Sequence, residues 1–150
     1  MSEKRIGFIG LGNMGGRMTR CLVAAGIEVV GFDAKPGAAD AVGARSAAAV
    51  AEVAKGAEII LLSLPDSKVV EKVMEGPEGL LANGRTGQII VDLSTAAASS
   101  TKRLGQLCKE KGIAYVDAGI SGGAAAAEKG TLTLICLLYT SPSPRDRTRS

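Results

Sequence analysis

The stretch that decides the fold is Ile6-Gly7-Phe8-Ile9-Gly10-Leu11-Gly12-Asn13-Met14-Gly15. Its apolar first part, residues 6–9, predicts a buried strand. Glycines follow at positions 10, 12 and 15, and an amphipathic helical pattern begins at once. The first glycine permits a tight turn, the second lets a phosphate approach bare backbone, and the third lets the helix pack closely on the strand. Because free N–H groups and the positive end of the dipole lie at the helix start, the stretch predicts a site for a dinucleotide pyrophosphate.

A carboxylate, Asp33, ends the next predicted strand and lies eighteen positions after Gly15. This distance is close to the roughly 20 residues that separate a glycine loop from a ribose-binding acid. If Asp33 accepts both ribose hydroxyls, the 2′-phosphate of NADP meets like charge, so NAD is favoured over NADP. Lys35 stands two residues further on and weakens this preference, which leaves NADP open. The alternative is that Asp33 only caps a helix or turn before Pro36.

The composition is that of one soluble globular domain. The 150 residues are 46% hydrophobic and 22% charged, and they are numerous enough to build a core. Aromatic residues make up only 3%, so Ala, Val, Leu and Ile must fill that core. The formal net charge is +3 without a basic stripe, and few aromatic side chains can stack on bases. Nucleic acid is therefore not expected as a partner.

The sequence also favours a cytoplasmic protein with no membrane partner. Its first residues lack the long apolar segment of a signal peptide, and the apolar run from Leu132 to Tyr139 is too short to span a bilayer. Cys21, Cys108 and Cys136 follow no metal or disulfide spacing, and we expect buried free thiols. Histidine, the commonest metal ligand and acid–base residue, is absent, so no metal site is expected.

Strand and helix patterns alternate along the chain. Predicted strands cover residues 28–33, 58–64, 88–93 and 113–116, and predicted helices cover 13–25, 38–42, 47–55, 67–74 and a segment closed by Lys111-Gly112. Alternation of this kind predicts an α/β fold with a doubly wound parallel sheet of the Rossmann type. The apolar periodicity of the first helix predicts an inward face of Met14, Met18, Cys21, Leu22 and Ala25, with Arg17 and Arg20 in solvent.

Loops that leave the carboxyl ends of parallel strands form the ligand crevice of such a sheet. Leu64 and Pro65 are therefore candidate contacts with the adenosine or ribose of a cofactor, although Pro65 alternatively only ends the strand. Thr95 caps a helix or touches the nicotinamide side, and one hydroxyl can do both. The run Ser121-Gly122-Gly123 offers a hydroxyl and closely spaced N–H groups that can hold a carboxylate, whereas most Gly-rich turns are only turns.

Together these residues resemble the β-hydroxyacid dehydrogenase family. The similarity rests on residues 7–15, Leu64-Pro65-Asp66, Asp92-Leu93-Ser94-Thr95, and Ser121-Gly122-Gly123 followed by Ala127 and Gly130-Thr131-Leu132. The resemblance implies that Gly10, Leu11, Gly12, Asn13, Met14, Leu64, Pro65 and Thr95 hold a nicotinamide dinucleotide. It also implies that Ser121, Gly122 and Gly123 hold the carboxylate of a small 3-hydroxy acid or its semialdehyde, of the 3-hydroxyisobutyrate or tartronate semialdehyde type. Two departures concern the substrate: Gly119-Ile120 replaces the usual Pro-Val, and Ala98 stands where a proline is usual.

The resemblance further implies a longer, homo-oligomeric parent with an all-helical second domain. In the family the catalytic lysine, helped by an asparagine, lies on a helix beyond the segment matched here, which stops near Ile135. Residues 136–150 instead resemble a translated transposase adaptor from sequencing-library preparation, Pro- and Ser-rich and then Arg-rich. We therefore expect residues 1–135 to be an incomplete NAD(P)-binding Rossmann domain and residues 136–150 a non-native, adaptor-derived tail; a natural disordered tail is the alternative.

The parent is accordingly expected to be an NAD(P)-dependent oxidoreductase, and this chain to contain no catalytic residue and to be inactive alone. With no histidine, only Lys, Tyr, Asp and Glu remain as proton-transfer groups, and Lys129 does not match the family's lysine by position. Two alternatives stay open: a non-catalytic dinucleotide-binding module, and a fragment of an imine- or 6-phosphogluconate-type reductase.

Overall fold

The computed structural model describes residues 5–94 and 97–140. Its strands form one sheet in the order β3-β2-β1-β4-β5-β6-β7. The strands are β1 (Ile6–Ile9), β2 (Val29–Phe32), β3 (Arg45–Ser46), β4 (Ile59–Leu62), β5 (Ile89–Asp92), β6 (Ala114–Ser121) and β7 (Thr133–Thr140). The helices are α1 (Asn13–Ala24), α2 (Ala38–Ala41), α3 (Val50–Gly56), α4 (Ser67–Glu75), α5 (Leu80–Asn83), α6 (Ala98–Glu110) and α7 (Gly123–Lys129).

The sheet is parallel from β3 to β6, and β7 is antiparallel to β6. β1 lies in the middle and pairs with β2 on one side and with β4 on the other. The strand order therefore reverses between β1 and β4, which makes the carboxyl ends of these two strands the switch point where such sheets bind ligands. The predicted doubly wound α/β fold is confirmed, with an antiparallel seventh strand added at one edge.

Apolar side chains cover both faces of the sheet. On one face Ile60, Leu62, Ile90 and Tyr115 are fully buried in a cluster that includes side chains of α3, α4, α5 and α6. On the other face Phe8 and Val29 lie in a cluster with α2, and side chains of α1 pack against it. The alternating burial of β4 and β5 follows the alternation of side chains along a strand and holds the strand ends in fixed positions.

The first helix packs on the sheet through its smallest residues. Gly15, Gly16 and Thr19 are its buried residues, and the hydroxyl of Thr19 donates to the Gly15 carbonyl at 2.8 Å. The predicted inward residues Met14, Met18, Cys21 and Leu22 are only half-buried, and Ala25 is exposed. Met18 and Leu22 do pack against the apolar cluster on this face of the sheet, as predicted, whereas the buried positions Gly15, Gly16 and Thr19 were not predicted.

Most predicted elements appear within a few residues of their expected ends. The short elements β3 and α5 were not predicted, and the other differences lie near the carboxyl end. β6 continues to Ser121 because its second half pairs with β7, from Ala118 opposite Cys136 to Ser121 opposite Thr133. The alanines after Gly123 form α7, a helix that the sequence did not indicate. β7 reaches Thr140 and so crosses the boundary expected at residue 135; the non-native origin of residues 136–150 stays a prediction.

No cysteine forms a disulfide within the described residues, and Cys108 is buried as expected. Cys21 is half-buried, and the expectation of burial was wrong for Cys136, which is exposed on the edge strand β7. Within the described ranges, no helix combines the length and the apolar character needed to cross a membrane.

Candidate functional site

The glycine loop connects β1 to α1 at the switch point of the sheet. Gly10 has a φ of +96°, and a Cβ at this position would lie 2.1 Å from the Ser63 carbonyl oxygen after β4. A Cβ on Gly15 would lie 1.8 Å from the Gly10 carbonyl oxygen. Both positions therefore exclude any side chain: the first by backbone conformation and contact, the second by contact between helix and loop. These are the roles that the sequence assigned to the first and third glycines.

Gly12 differs from these two glycines because it borders open space. No described atom lies within 4 Å of the position where its Cβ would be, and its φ is not positive. It is also the N-cap of α1, where it makes no side-chain capping bond, and the first turn of the helix contains no acidic residue. The open space lies beside the N–H groups and positive dipole end of a twelve-residue helix, an arrangement that suits a phosphate.

Asp33 connects the glycine loop to the end of β2. Its Oδ2 atom accepts a hydrogen bond from the Leu11 backbone N–H at 2.8 Å, and its Oδ1 atom accepts one from the Lys35 N–H at 2.8 Å. The side chain is half-buried, so each oxygen keeps a lone pair that can face a ligand. Asp33 thus closes the turn before Pro36 and also lies where a ribose-binding acid is expected. The two readings of the sequence are compatible.

A cavity of about 450 Å³ opens beside Asp33 and Gly12, between α1 and the start of α2. Its lining contains three cationic side chains, those of Arg17, Arg20 and Lys35. Arg17 also donates from Nε to the Asn13 Oδ1 atom at 3.1 Å, which fixes the amide at the helix start. The sequence assigned both arginines to solvent and did not link them to the site. Their spacing from Asn13, by four and seven residues, is the signal that places them on its face of the helix.

The loops after β4 and β5 are joined to each other. The Leu64 N–H donates to Ser94 Oγ at 2.8 Å, and the Ala97 N–H donates to Ser67 Oγ at 2.7 Å. Leu64 is half-buried and Pro65 is exposed, both at the carboxyl edge that carries the glycine loop. Thr95, the remaining predicted cofactor contact, lies outside the described residues. Ser94, which the sequence grouped only with its neighbours in a motif, is the residue that links the two loops.

Ser121-Gly122-Gly123 stands at the same edge of the sheet, where β6 ends and α7 begins. All three residues are exposed, and both glycines have positive φ, +123° and +71°. A Cβ on Gly122 would lie 2.7 Å from that of Ala126, whereas no described atom is within 4 Å of the corresponding position at Gly123. α7 packs on α1, where the Cys21 thiol donates to the Ala127 carbonyl at 3.1 Å. The turn is thereby held on the side of the sheet that α1 covers.

The sequence and the fold are similar to those of known dehydrogenases. Residues 5–137 match the protein family described as the NAD binding domain of 6-phosphogluconate dehydrogenase. The chain is 45% identical over 134 residues to 2-(hydroxymethyl)glutarate dehydrogenase of Eubacterium barkeri, which covers 87% of this chain and 44% of that protein. It is 37% identical over 133 residues to 3-hydroxyisobutyrate dehydrogenase of Pseudomonas aeruginosa, covering 87% of this chain and 45% of that protein.

Among solved structures, that of 3-hydroxyisobutyrate dehydrogenase of Mycobacterium tuberculosis with L-serine superposes with a TM-score of 0.82 at 32% identity. The superposition covers 90% of this chain and 46% of that chain. The chain thus spans less than half the length of these relatives.

Proposed function

We propose that this chain is the cofactor-binding part of an oxidoreductase for a small 3-hydroxy acid or its semialdehyde. The chain belongs to the family of NAD-binding domains found in 6-phosphogluconate dehydrogenase. Membership of this family confirms the predicted class of cofactor, a nicotinamide dinucleotide. The observation that carries the proposal is the open space at Gly12, next to a helix N-terminus and to the Asp33 carboxylate. When bound, the nicotinamide supplies or takes the hydride, and the residues of this chain bind and orient it.

The proposed binding residues divide by the part of the cofactor that they contact. The pyrophosphate lies against Gly10, Leu11, Gly12, Asn13, Met14 and Gly15. The adenosine ribose donates to Asp33. Leu64 and Pro65 border the adenosine or a ribose, and Thr95 borders the nicotinamide side. Support for this division comes from the shared edge of the sheet and from the bond between the Leu11 N–H and Asp33, which puts the loop and the acid side by side.

NAD is the proposed form of the cofactor, and Asp33 is the residue that selects it. We expect the chain to bind NAD⁺ at least about tenfold more tightly than NADP⁺, because the 2′-phosphate meets the carboxylate. In Asp33→Asn the charge is lost while one oxygen stays as an acceptor for a backbone N–H. The preference should then fall to about threefold or less, as measured by isothermal titration calorimetry with both dinucleotides.

The control for this substitution is Asp40→Asn, which removes one negative charge from an exposed position on α2. It should leave both affinities unchanged. Equal binding of the two dinucleotides by the unaltered chain, or an unchanged preference in Asp33→Asn, would show that Asp33 only closes its turn. In that case the cationic lining formed by Arg17, Arg20 and Lys35 becomes the determinant to test for NADP⁺.

The substrate carboxylate is proposed to bind at Ser121, Gly122 and Gly123. Two features support this assignment. The exposed turn follows the strand end at the same sheet edge as the glycine loop, and Gly123, like Gly12, borders open space instead of packed atoms. An exposed serine hydroxyl and neighbouring backbone N–H groups are suitable donors for a carboxylate.

Turnover is proposed to need residues beyond this chain. Transfer of a hydride to or from a carbonyl carbon requires a group that exchanges the hydroxyl proton, and such a group typically contributes about 10²- to 10⁴-fold in rate. In the family that the chain resembles, a lysine on a later helix exchanges this proton, and Lys129 on α7 is not that residue. With NAD⁺ and 3-hydroxyisobutyrate, the 150-residue chain should therefore form NADH at least about a hundredfold more slowly than a full-length relative.

Full-length 3-hydroxyisobutyrate dehydrogenase of Pseudomonas aeruginosa is the reference for this assay. A rate for the chain close to that reference would refute the assignment of the proton-transfer group. A genomic read across codon 135 is a second test of this assignment. A reading frame that continues into a helix with lysine and asparagine supports the hypothesis that the parent protein is an enzyme. A frame that confirms residues 136–150 as native favours the alternative, a non-catalytic dinucleotide-binding module.

A 6-phosphogluconate-type substrate is the second candidate, since the matched family is described from 6-phosphogluconate dehydrogenase. Assays of the extended protein with 6-phosphogluconate and with 3-hydroxyisobutyrate distinguish the two. The proposed setting of the parent is a homo-oligomer in the cytoplasm, with no membrane or nucleic-acid partner.

A further inference from the structure

Asp92 is a fully buried carboxylate at the carboxyl end of β5. Its neighbours in register are Leu62 of β4 and Asp117 of β6. A buried charge is costly unless hydrogen-bond donors surround it. Asp92 has two: Oδ2 accepts from the Tyr115 hydroxyl at 2.8 Å, and Oδ1 accepts from the Ser94 backbone N–H at 2.9 Å. The carboxylate is therefore fixed between β6 and the first residues of the loop after β5.

Ser94 extends this arrangement to the neighbouring loop. Its side chain is buried, and its Oγ atom accepts from the Leu64 backbone N–H at 2.8 Å. Tyr115, Asp92, Ser94 and Leu64 thus form one continuous hydrogen-bonded series from β6 across β5 to the loop after β4. The bond from the Ala97 N–H to Ser67 Oγ is a second, independent connection between the same two loops.

Burial and charge keep the Tyr115 hydroxyl in its protonated form. Burial, and after it the charge of Asp92, raises the pKa of the Tyr115 hydroxyl, so Tyr115 stays protonated and remains a donor. Burial and then the charge of Asp92 also raise the pKa of Asp117, which lies half-buried beside it. The protonated hydroxyl therefore stays a donor to the Asp92 carboxyl group.

We propose that Ser94 and Asp92 are positioning residues, which hold the start of the loop after β4 in the conformation that receives the nicotinamide ribose of the cofactor. This inference rests on the proposed function, in which Leu64 and Pro65 border the adenosine or a ribose. Because Asp33 takes the adenosine ribose, the ribose beside this loop is the one that carries the nicotinamide. Neither residue needs to touch the cofactor. Ser94 acts through the Leu64 backbone, and Asp92 acts through the Ser94 backbone.

The test compares the affinity of two ligands for Ser94→Ala. ADP carries the adenosine and the diphosphate of NAD⁺ but lacks the nicotinamide and its ribose. Without the Ser94 hydroxyl, the Leu64 N–H loses its acceptor and the loop loses one of the two connections that the structure describes. The Kd for NAD⁺ should rise by about fivefold or more, the effect of one hydrogen bond, while the Kd for ADP changes by less than about twofold.

Ser100→Ala is the matched control. Ser100 is also a buried serine, and its hydroxyl donates to Glu71 Oε2 at 2.7 Å, between α6 and α4. The Ser100→Ala variant should lower the melting temperature, as Ser94→Ala does, and leave both Kd values unchanged. Ser67→Ala, which removes the second connection between the loops, serves as the test variant if Ser94→Ala fails to fold. The same selective loss of NAD⁺ affinity is expected there.

An equal change for NAD⁺ and ADP, or no change for either, in both variants overturns the positioning role and leaves the proposed function intact. The proposed function has its own readout, the binding of NAD⁺ by the unaltered chain. A chain that binds neither ligand refutes that function, and the positioning role is refuted with it.

Discussion

Gly15→Ala should unfold most of the chain at room temperature or lower its free energy of unfolding by at least about 3 kcal/mol. The added Cβ would lie 1.8 Å from the Gly10 carbonyl oxygen and 3.2 Å from the Phe8 ring. The oxygen is a backbone atom in the turn that leaves β1, and Phe8 is fully buried, so neither can move without separating α1 from the sheet. Urea denaturation followed by circular dichroism measures the loss.

The predicted loss of stability in Gly15→Ala is opposite in sign to the effect expected from helix propensity alone. In an unconstrained helix, replacing glycine by alanine stabilises by up to about 1 kcal/mol. Gly56, at the end of α3, has no described atom within 4 Å of its Cβ position and no positive φ, so Gly56→Ala is the matched control. It should be neutral or slightly stabilising. If Gly15→Ala unfolds at the same urea concentration as Gly56→Ala, the close packing of α1 on the loop does not exist in solution.

The sequence was sufficient to predict the glycine loop and Asp33, because the residues involved lie close together along the chain. β1 is one apolar run, the loop follows without interruption, and Asp33 ends the next strand. Each step depends on neighbours along the chain, so local pattern is enough. The direct bond from the Leu11 N–H to Asp33 confirms that this short-range order brings the two together.

The connection through Asp92 could not be predicted in the same way. Its donor Tyr115 is 23 residues away, and Leu64 lies 30 residues before Ser94. In the sequence Asp92 appears only as a polar residue at the end of an apolar strand. Its burial and its partners depend on which strands become neighbours, and that information appears only when β4, β5 and β6 are placed side by side.

The buried residues of α1 were missed for a different reason. Periodicity ranks positions by hydrophobicity and so favours Met18 and Leu22, which do pack against the core. The close approach of the helix to the glycine loop instead leaves no room for a side chain at Gly15 and little at Gly16. α7 was missed because a run of alanines has no polar face and therefore no helical period. The roles of Ser121, Gly122 and Gly123, and of Thr95, stay predictions that binding experiments must test.

Gly12→Ala should abolish most NAD⁺ binding and leave the fold unchanged, the opposite combination to Gly15→Ala. No described atom lies within 4 Å of the new Cβ, and the φ of −75° at the helix N-cap suits alanine, so the free energy of unfolding should change by less than about 1 kcal/mol. The methyl group instead occupies the space through which a pyrophosphate reaches the backbone N–H groups of α1. The Kd for NAD⁺ should rise by at least about tenfold.

Titration calorimetry with NAD⁺ and with ADP, together with urea denaturation, measures both halves of this prediction. Both ligands carry a diphosphate, so Gly12→Ala should weaken the binding of both, whereas Ser94→Ala should weaken only the binding of NAD⁺. Gly56→Ala, which also adds a methyl group in open space but far along the chain, should leave both affinities unchanged. Binding of NAD⁺ by Gly12→Ala with unaltered affinity would mean that the pyrophosphate does not approach the start of α1, and the proposed site would then have to be abandoned.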